Sequence, residues 1–126
     1  MIGKDEVMAL LLTACPSFEE AWEEHLAAWE DRDLLYLDLG AFARHLVALL
    51  QSERTGEFPT VFEVVERLHV EGTPDVQEAA TIGLLEGIQN HAEHTGLDPD
   101  RFLPFLRPVS REWWKQLHAF WSGEIR

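Results

Sequence analysis

Three small groups of residues have types and spacings that could do chemistry. Glu66-Arg67-Leu68-His69 is a Glu-x-x-His, the pattern by which di-iron carboxylate bundles place two ligands on one helix turn. Such a centre needs a second copy and two further glutamates from facing helices, and the chain carries a single Glu-x-x-His. The pattern is therefore expected to be a solvated helix end. His91 and His94 are three apart and could reach one metal ion, with His25, His45 or Glu93 completing the set, or could serve nearby carboxylates in acid-base catalysis. Two histidines at that spacing make half a zinc site, and His91 falls on the apolar side of its segment, which suits a hydrogen-bonded histidine at the core edge. Cys15 is the lone cysteine and has no cationic sequence neighbour to lower its pKa, so it reads as a buried thiol. Nucleophile-elbow, phosphate-loop and dinucleotide patterns are absent from the sequence. The expectation is no catalytic residue, no cofactor and no metal.

Charge gives a stronger signal. The 126 residues hold 23 acidic against 10 basic side chains, a net −13 with histidine neutral. Residues 1–33 contain nine of the acids against Lys4 and Arg32, whereas residues 107–126 are mildly basic. Such an imbalance repels phosphate backbones and anionic membranes and attracts basic partners over about a Debye length. Glu19, Glu20, Glu23, Glu24, Glu30 and Asp31 concentrate the acid in one stretch. Glu19/Glu23 and Glu20/Glu24 are like-charge i,i+4 pairs, each destabilising a helix by a few tenths of a kcal/mol, and a cost of that kind suggests use. These six residues form the first candidate docking surface, with Glu86, Gln89 and Glu93 as a second.

The elements that must position these groups are helical nearly throughout. Helix one spans Lys4 to Ala14 and stops at Pro16. Ser17 and Glu20 form a capping box for helix two, whose inner face carries Phe18, Trp22, His25, Leu26 and Trp29. A break over Asp31 to Asp33 precedes helix three, about Asp38 to Arg54, with Leu39, Phe42, Leu46, Leu49 and Leu50 as its buried stripe. Thr60 and Glu63 form a second capping box, and helix four runs to Gly72. Thr73 caps helix five, Pro74 to Thr95, in which Gly83 and Gly87 require close approach by another helix. After a short turn or helix over Asp98 to Leu106, Ser110 starts the last helix. Its Trp113, Trp114, Leu117, Phe120 and Trp121 are expected to be core, with Glu86, Gln89 and Asn90 as acceptors for the indole N–H groups. The fold expected is all-α: one compact domain, residues 1–126, of about six helices packed as antiparallel hairpins.

A lipoprotein cleavage pattern at Leu12-Thr13-Ala14-Cys15 is opposed by Asp5 and Glu6, which cancel a positive leader, so a cytoplasmic location is expected. No apolar run reaches the ~20 residues of a membrane span.

The segment Ala79 to Asn90, with its Leu-Leu-Glu-Gly-Ile-Gln-Asn, and the ending Trp113-Trp114-Lys115-Gln116-Leu117-His118-Ala119-Phe120-Trp121 resemble a family of small, uncharacterised bacterial helical proteins. Members of that family look like immunity proteins of polymorphic toxin systems. The resemblance covers residues 60–122 and leaves the acidic third unassigned. It implies a toxin as partner and carries no catalytic residues; the acidic charge adds that this partner would be a basic protein such as a nuclease toxin. From the residues themselves two alternatives stand beside this binding module: a small metal-dependent or acid-base enzyme using His91 and His94, and a DNA mimic that occupies a nucleic-acid site.

Overall fold

Helix α1 (Lys4–Ala14) begins with Asp5 and Glu6 at its positive end and buries Val7, Leu11 and Ala14. A 3₁₀ turn (Pro16–Phe18) leads into α2 (Glu19–Ala28), followed by α3 (Leu35–Gln51) and α4 (Phe58–Glu71). The next helical run starts as α5 (Pro74–Glu78), widens to a π-helical segment (Ala79–Leu85) and resumes as α6 (Glu86–His94). A 3₁₀ segment (Pro99–Phe105) precedes α7 (Pro108–Trp121). The computed structural model describes residues 1–29 and 34–121, apart from the side chains of Phe120 and Trp121. Among the described residues there is no strand, and the architecture is all-α.

Helix α3 lies along the π segment and α6, and α4 joins α1 to α7. The four leucines and one phenylalanine expected on the α3 stripe, Leu39, Phe42, Leu46, Leu49 and Leu50, are all buried. Of the two glycines expected to require close approach by another helix, Gly83 is the tight one and Gly87 leaves room for ordinary contact with α3. A methyl group at Gly83 would stand 3.1 Å from both Leu39 and Tyr36, and one at Gly87 would stand 3.4 Å from Ala43. A second part of the core is aromatic: Phe58 and Phe62 of α4 meet Phe102, which in turn packs on Trp114 of α7 with ring centroids 6.1 Å apart.

Several local devices differ from expectation. The single helix five is interrupted because the Glu86 amide bonds to the Thr81 carbonyl five residues back, opening the turn, so that run divides into α5, the π segment and α6. Neither capping box forms. α4 begins at Phe58, which puts Thr60 inside its first turn, and the Ser17 hydroxyl is engaged elsewhere. Thr73 does cap α5, accepting from the Val76 amide at 3.3 Å with Pro74 following. Gly96, at φ +81°, closes α6 in a Schellman motif through Leu97 N–H to Ala92 O. Gly72 has another role: a Cβ there would fall 2.4 Å from the Leu68 carbonyl oxygen and 2.6 Å from Val76. That close packing lets Ile2 bridge the α4–α5 turn, donating to Glu71 O at 2.8 Å and accepting from Thr73 N–H at 2.9 Å.

Candidate functional site

The acidic stretch forms a peripheral helix. Glu19 and Glu20 in the first turn of α2, and Glu23 and Glu24 in the second, are all exposed, and none is in an ion pair among the described residues. No residue of α2 is fully buried. The helix is held instead by half-buried Trp22, His25 and Leu26, and by Phe18 just ahead of it, whose ring meets Phe42 at 5.0 Å and His45 at 5.2 Å. His25 Nε2 lies 2.7 Å from an Asp38 carboxylate oxygen of α3. Trp29, expected on the inner face, is 46% exposed at the end of α2. Glu30 and Asp31 lie outside the described residues.

Two polar clusters were not legible in the sequence, and each ties a helix start to α4. In the first, the Glu57 carboxylate accepts from the Ser17 hydroxyl, the Ser17 amide at 3.2 Å and the Cys15 thiol at 3.3 Å, while the Ser17 oxygen lies 3.0 Å from His45 Nε2. Ser17 has one proton for two acceptors, and it stays with Glu57 when His45 Nε2 carries the hydrogen and donates. In the second, Glu66 accepts from the Val109 amide at 2.9 Å and from the Ser110 amide and hydroxyl, both at 2.8 Å. His69 Nδ1 lies 3.0 Å from the Val65 carbonyl and 3.2 Å from Ser110 Oγ, and its Nε2 lies 3.0 Å from Thr81 Oγ1 in the π segment. A carbonyl only accepts, so Nδ1 holds the hydrogen and Nε2 is an acceptor facing the Thr81 hydroxyl. Glu66 and His69 are thus no solvated helix end; His69 is buried, and the pair anchors the start of α7.

The electrostatics follow from these contacts. Burial would raise the Glu57 and Glu66 carboxyls, but the donors from Ser17 and Cys15, and from Val109 and Ser110, outweigh it and hold both below the ordinary value. Burial lowers His45 and His69, against the pull of Glu57 on the first and of the Val65 carbonyl and Glu66 on the second. Burial also pushes the Cys15 thiol to about 11, which makes it a poor nucleophile. Cys15 does not couple directly to a histidine: Ser17 stands between it and His45.

The other sequence candidates are dispersed. His91 is half-buried on α6 and lowered by burial and by Arg44 and His94, while His94 is exposed. His25 is engaged by Asp38 and His45 by Ser17, and among the described residues no three His, Cys, Asp or Glu side chains converge as a metal set. In the second acidic surface Glu93 is exposed and Glu86 half-buried, but Gln89 is buried and donates its amide to the Trp114 carbonyl at 3.1 Å. Gln89 belongs to the core. The indole of Trp114 finds Asp100 at 3.3 Å rather than an acceptor on α6.

The aromatic stripe of α7 divides. Trp114 is buried as expected and Leu117 is half-buried, whereas Trp113 is 43% exposed. One residue is 100° of helix, enough to carry Trp113 from the Phe102 side to solvent. Phe120 and Trp121 are outside the side chains described. Nothing in the hydrophobic pattern separates Trp113 from Trp114, because both sit at the edge of one broad apolar arc and only the packing partner decides.

No helix of the described residues is long and apolar enough to cross a membrane. No curated protein and no solved structure matches the chain. A family model does match, over residues 8–122, and it takes in the acidic N-terminal third as well as the segments that carry the resemblance. On that match the protein belongs to a family described as a domain of unknown function (DUF7674).

Proposed function

We propose that this protein is an acidic binding module that docks on a basic protein, in the manner of an immunity-type inhibitor, through the exposed face of α2. The observation that carries the reading is the state of Glu19, Glu20, Glu23 and Glu24: four exposed carboxylates, without ion pairs among the described residues, on a helix that contributes no fully buried residue. The like-charge pairs Glu19/Glu23 and Glu20/Glu24 each weaken α2 by a few tenths of a kcal/mol. A negative helix face of this kind raises encounter rates with a basic surface by ten-fold or more at low salt. Trp29, exposed at the end of α2, would supply the aromatic area that a docking surface needs for affinity.

The test replaces Glu19, Glu20, Glu23 and Glu24 with Gln. The partner is recovered from the native host by cross-linking, and association is followed by stopped flow at low and high salt. The fold should be unchanged, while the association rate falls by an order of magnitude or more and loses most of its salt dependence. An unchanged, salt-dependent rate would refute docking through α2. A nuclease among the recovered proteins, competed off by DNA, would favour the DNA-mimic form of the same surface.

A further inference from the structure

The π segment carries one large apolar side chain outside the core. In the π segment Thr81 is turned inward to His69, and its neighbour Ile82 is 45% exposed. Across from Ile82 stands the exposed Trp113 of α7. The two border a cleft of about 450 Å³ that Pro74, Gln77, Glu78 and Thr81 complete. Glu78 also lines an adjoining cleft of about 300 Å³ with Lys4, Leu35, Tyr36 and Asp75. Tyr36 is fixed there, since its ring occupies the space that a side chain at Gly83 would need. Burial, then Glu78 and Asp75, raise the Tyr36 phenol, which places both carboxylates within electrostatic reach of it.

Ile82 and Trp113 are exposed on one cleft and Tyr36 on the next, and aromatic side chains of this type dominate binding energies where proteins meet. Glu78 stands between the two clefts, and among the described residues neither it nor Asp75 is in an ion pair. No basic side chain lines the larger cleft. Its shape and charge suit a long cationic side chain: apolar walls for the methylene stem and a carboxylate for the head.

We propose that the cleft between the π segment and α7 docks a basic amphipathic segment of a partner protein, a Lys or Arg stem lying against Ile82 and Trp113 with its charge on Glu78. This surface shares no residue with the acidic face of α2, and the inference stands whether or not α2 docks.

The probe is a synthetic 18-residue amphipathic helix of Leu and Lys, with a Leu/Glu peptide of the same pattern as control. Binding is measured by anisotropy and mapped by amide and indole N–H shifts on the labelled protein. Ile82→Ser and Trp113→Ser, on separate elements and both at exposed positions, should each weaken binding ten-fold or more, and Glu78→Gln several-fold. The α2 quadruple Gln variant should retain the ordering, with shifts centred on Ile82, Gly83 and the Trp113 indole. Shifts centred on α2 would overturn the proposal, as would equal binding of the Glu peptide or indifference to Ile82→Ser and Trp113→Ser. A concentration-dependent dimer in sedimentation, abolished by Trp113→Ser, would also overturn it by giving the cleft to a second copy of the chain.

Discussion

Glu66→Ala tests the account of how α7 is held. The carboxylate satisfies two orphan amides at the helix start, on Val109 and Ser110, and the hydroxyl of a fully buried Ser110. Loss of a side-chain cap costs about 0.5–2 kcal/mol, and a buried hydroxyl left without its acceptor costs about 1–3 kcal/mol. Taken together, with allowance for relaxation, the variant should lose roughly 2–4 kcal/mol. For a chain of this length each kcal/mol moves Tm by about 4 °C, so calorimetry should show a fall of roughly 8–15 °C. Glu63→Ala is the control, because Glu63 lies 3.8 Å from Arg107 in an exposed pair worth about 0–1 kcal/mol. The pH profile adds a second reading. The folded carboxyl of Glu66 titrates below its ordinary 4.5, so its contribution is fully present above pH 4.5 and is lost as pH falls through the lower folded value. The gap between wild type and Glu66→Ala should therefore narrow below pH 4.5. If Glu66→Ala melts as close to wild type as Glu63→Ala does, the carboxylate is not the anchor of α7.

The buried histidines act in a higher window: His45 and His69 titrate below 6.5 when folded, so wild type should lose stability as pH falls from 6.5 and His69→Gln should flatten that decline in urea titrations at successive pH values. Trp114→Ala should cost about 3–5 kcal/mol and Trp113→Ala under ~1 kcal/mol, a contrast readable by denaturant unfolding, since only the first empties the core. Gly72→Ala should be more damaging than Gly87→Ala, because a methyl group meets the Leu68 carbonyl in the first case and ordinary contact with Ala43 in the second; Gly87→Ala should gain up to about 1 kcal/mol in helix propensity. Cys15 should resist thiol reagents near neutral pH until the protein is unfolded, and stability should decline as pH rises from 9.0 through about 11, where the unfolded thiol ionises before the buried one.

What was legible in the sequence was what depends on neighbours along the chain. The periodicity of Leu39 to Leu50 marked the buried side of α3, Thr73-Pro74 marked a helix start, and Gly83, though not Gly87, marked a close helix contact. What was hidden depends on partners far away in sequence. Ser17 and Glu20 satisfy the rule for a local cap, yet Glu57, forty residues on, offers a charged acceptor to both the hydroxyl and the amide of Ser17. Glu66-x-x-His69 looked like half a metal motif because its real partner, Ser110, comes from another helix. The π segment has no periodic signature, since a single widened turn shifts a helix face without changing composition. The cleft between Ile82 and Trp113 joins two elements far apart in sequence, and no apolar pattern pairs them.

Helix α4 supplies both carboxylate anchors, Glu57 at its entry and Glu66 midway along, reaching Ser17 and Ser110 across 40 and 44 residues of chain. Contacts of such sequence separation close large loops, and α2, which buries no residue fully, together with α7, the last described helix, should open before the leucine-rich centre does. Hydrogen exchange should therefore divide the molecule into a slow unit of α3, α4, the π segment and α6, and two faster units at α2 and α7. The faster units carry the acidic face and Trp113, so both exposed surfaces lie where protection should be lost first, α7 less readily than α2 because Trp114 and Gln89 tie it to the core.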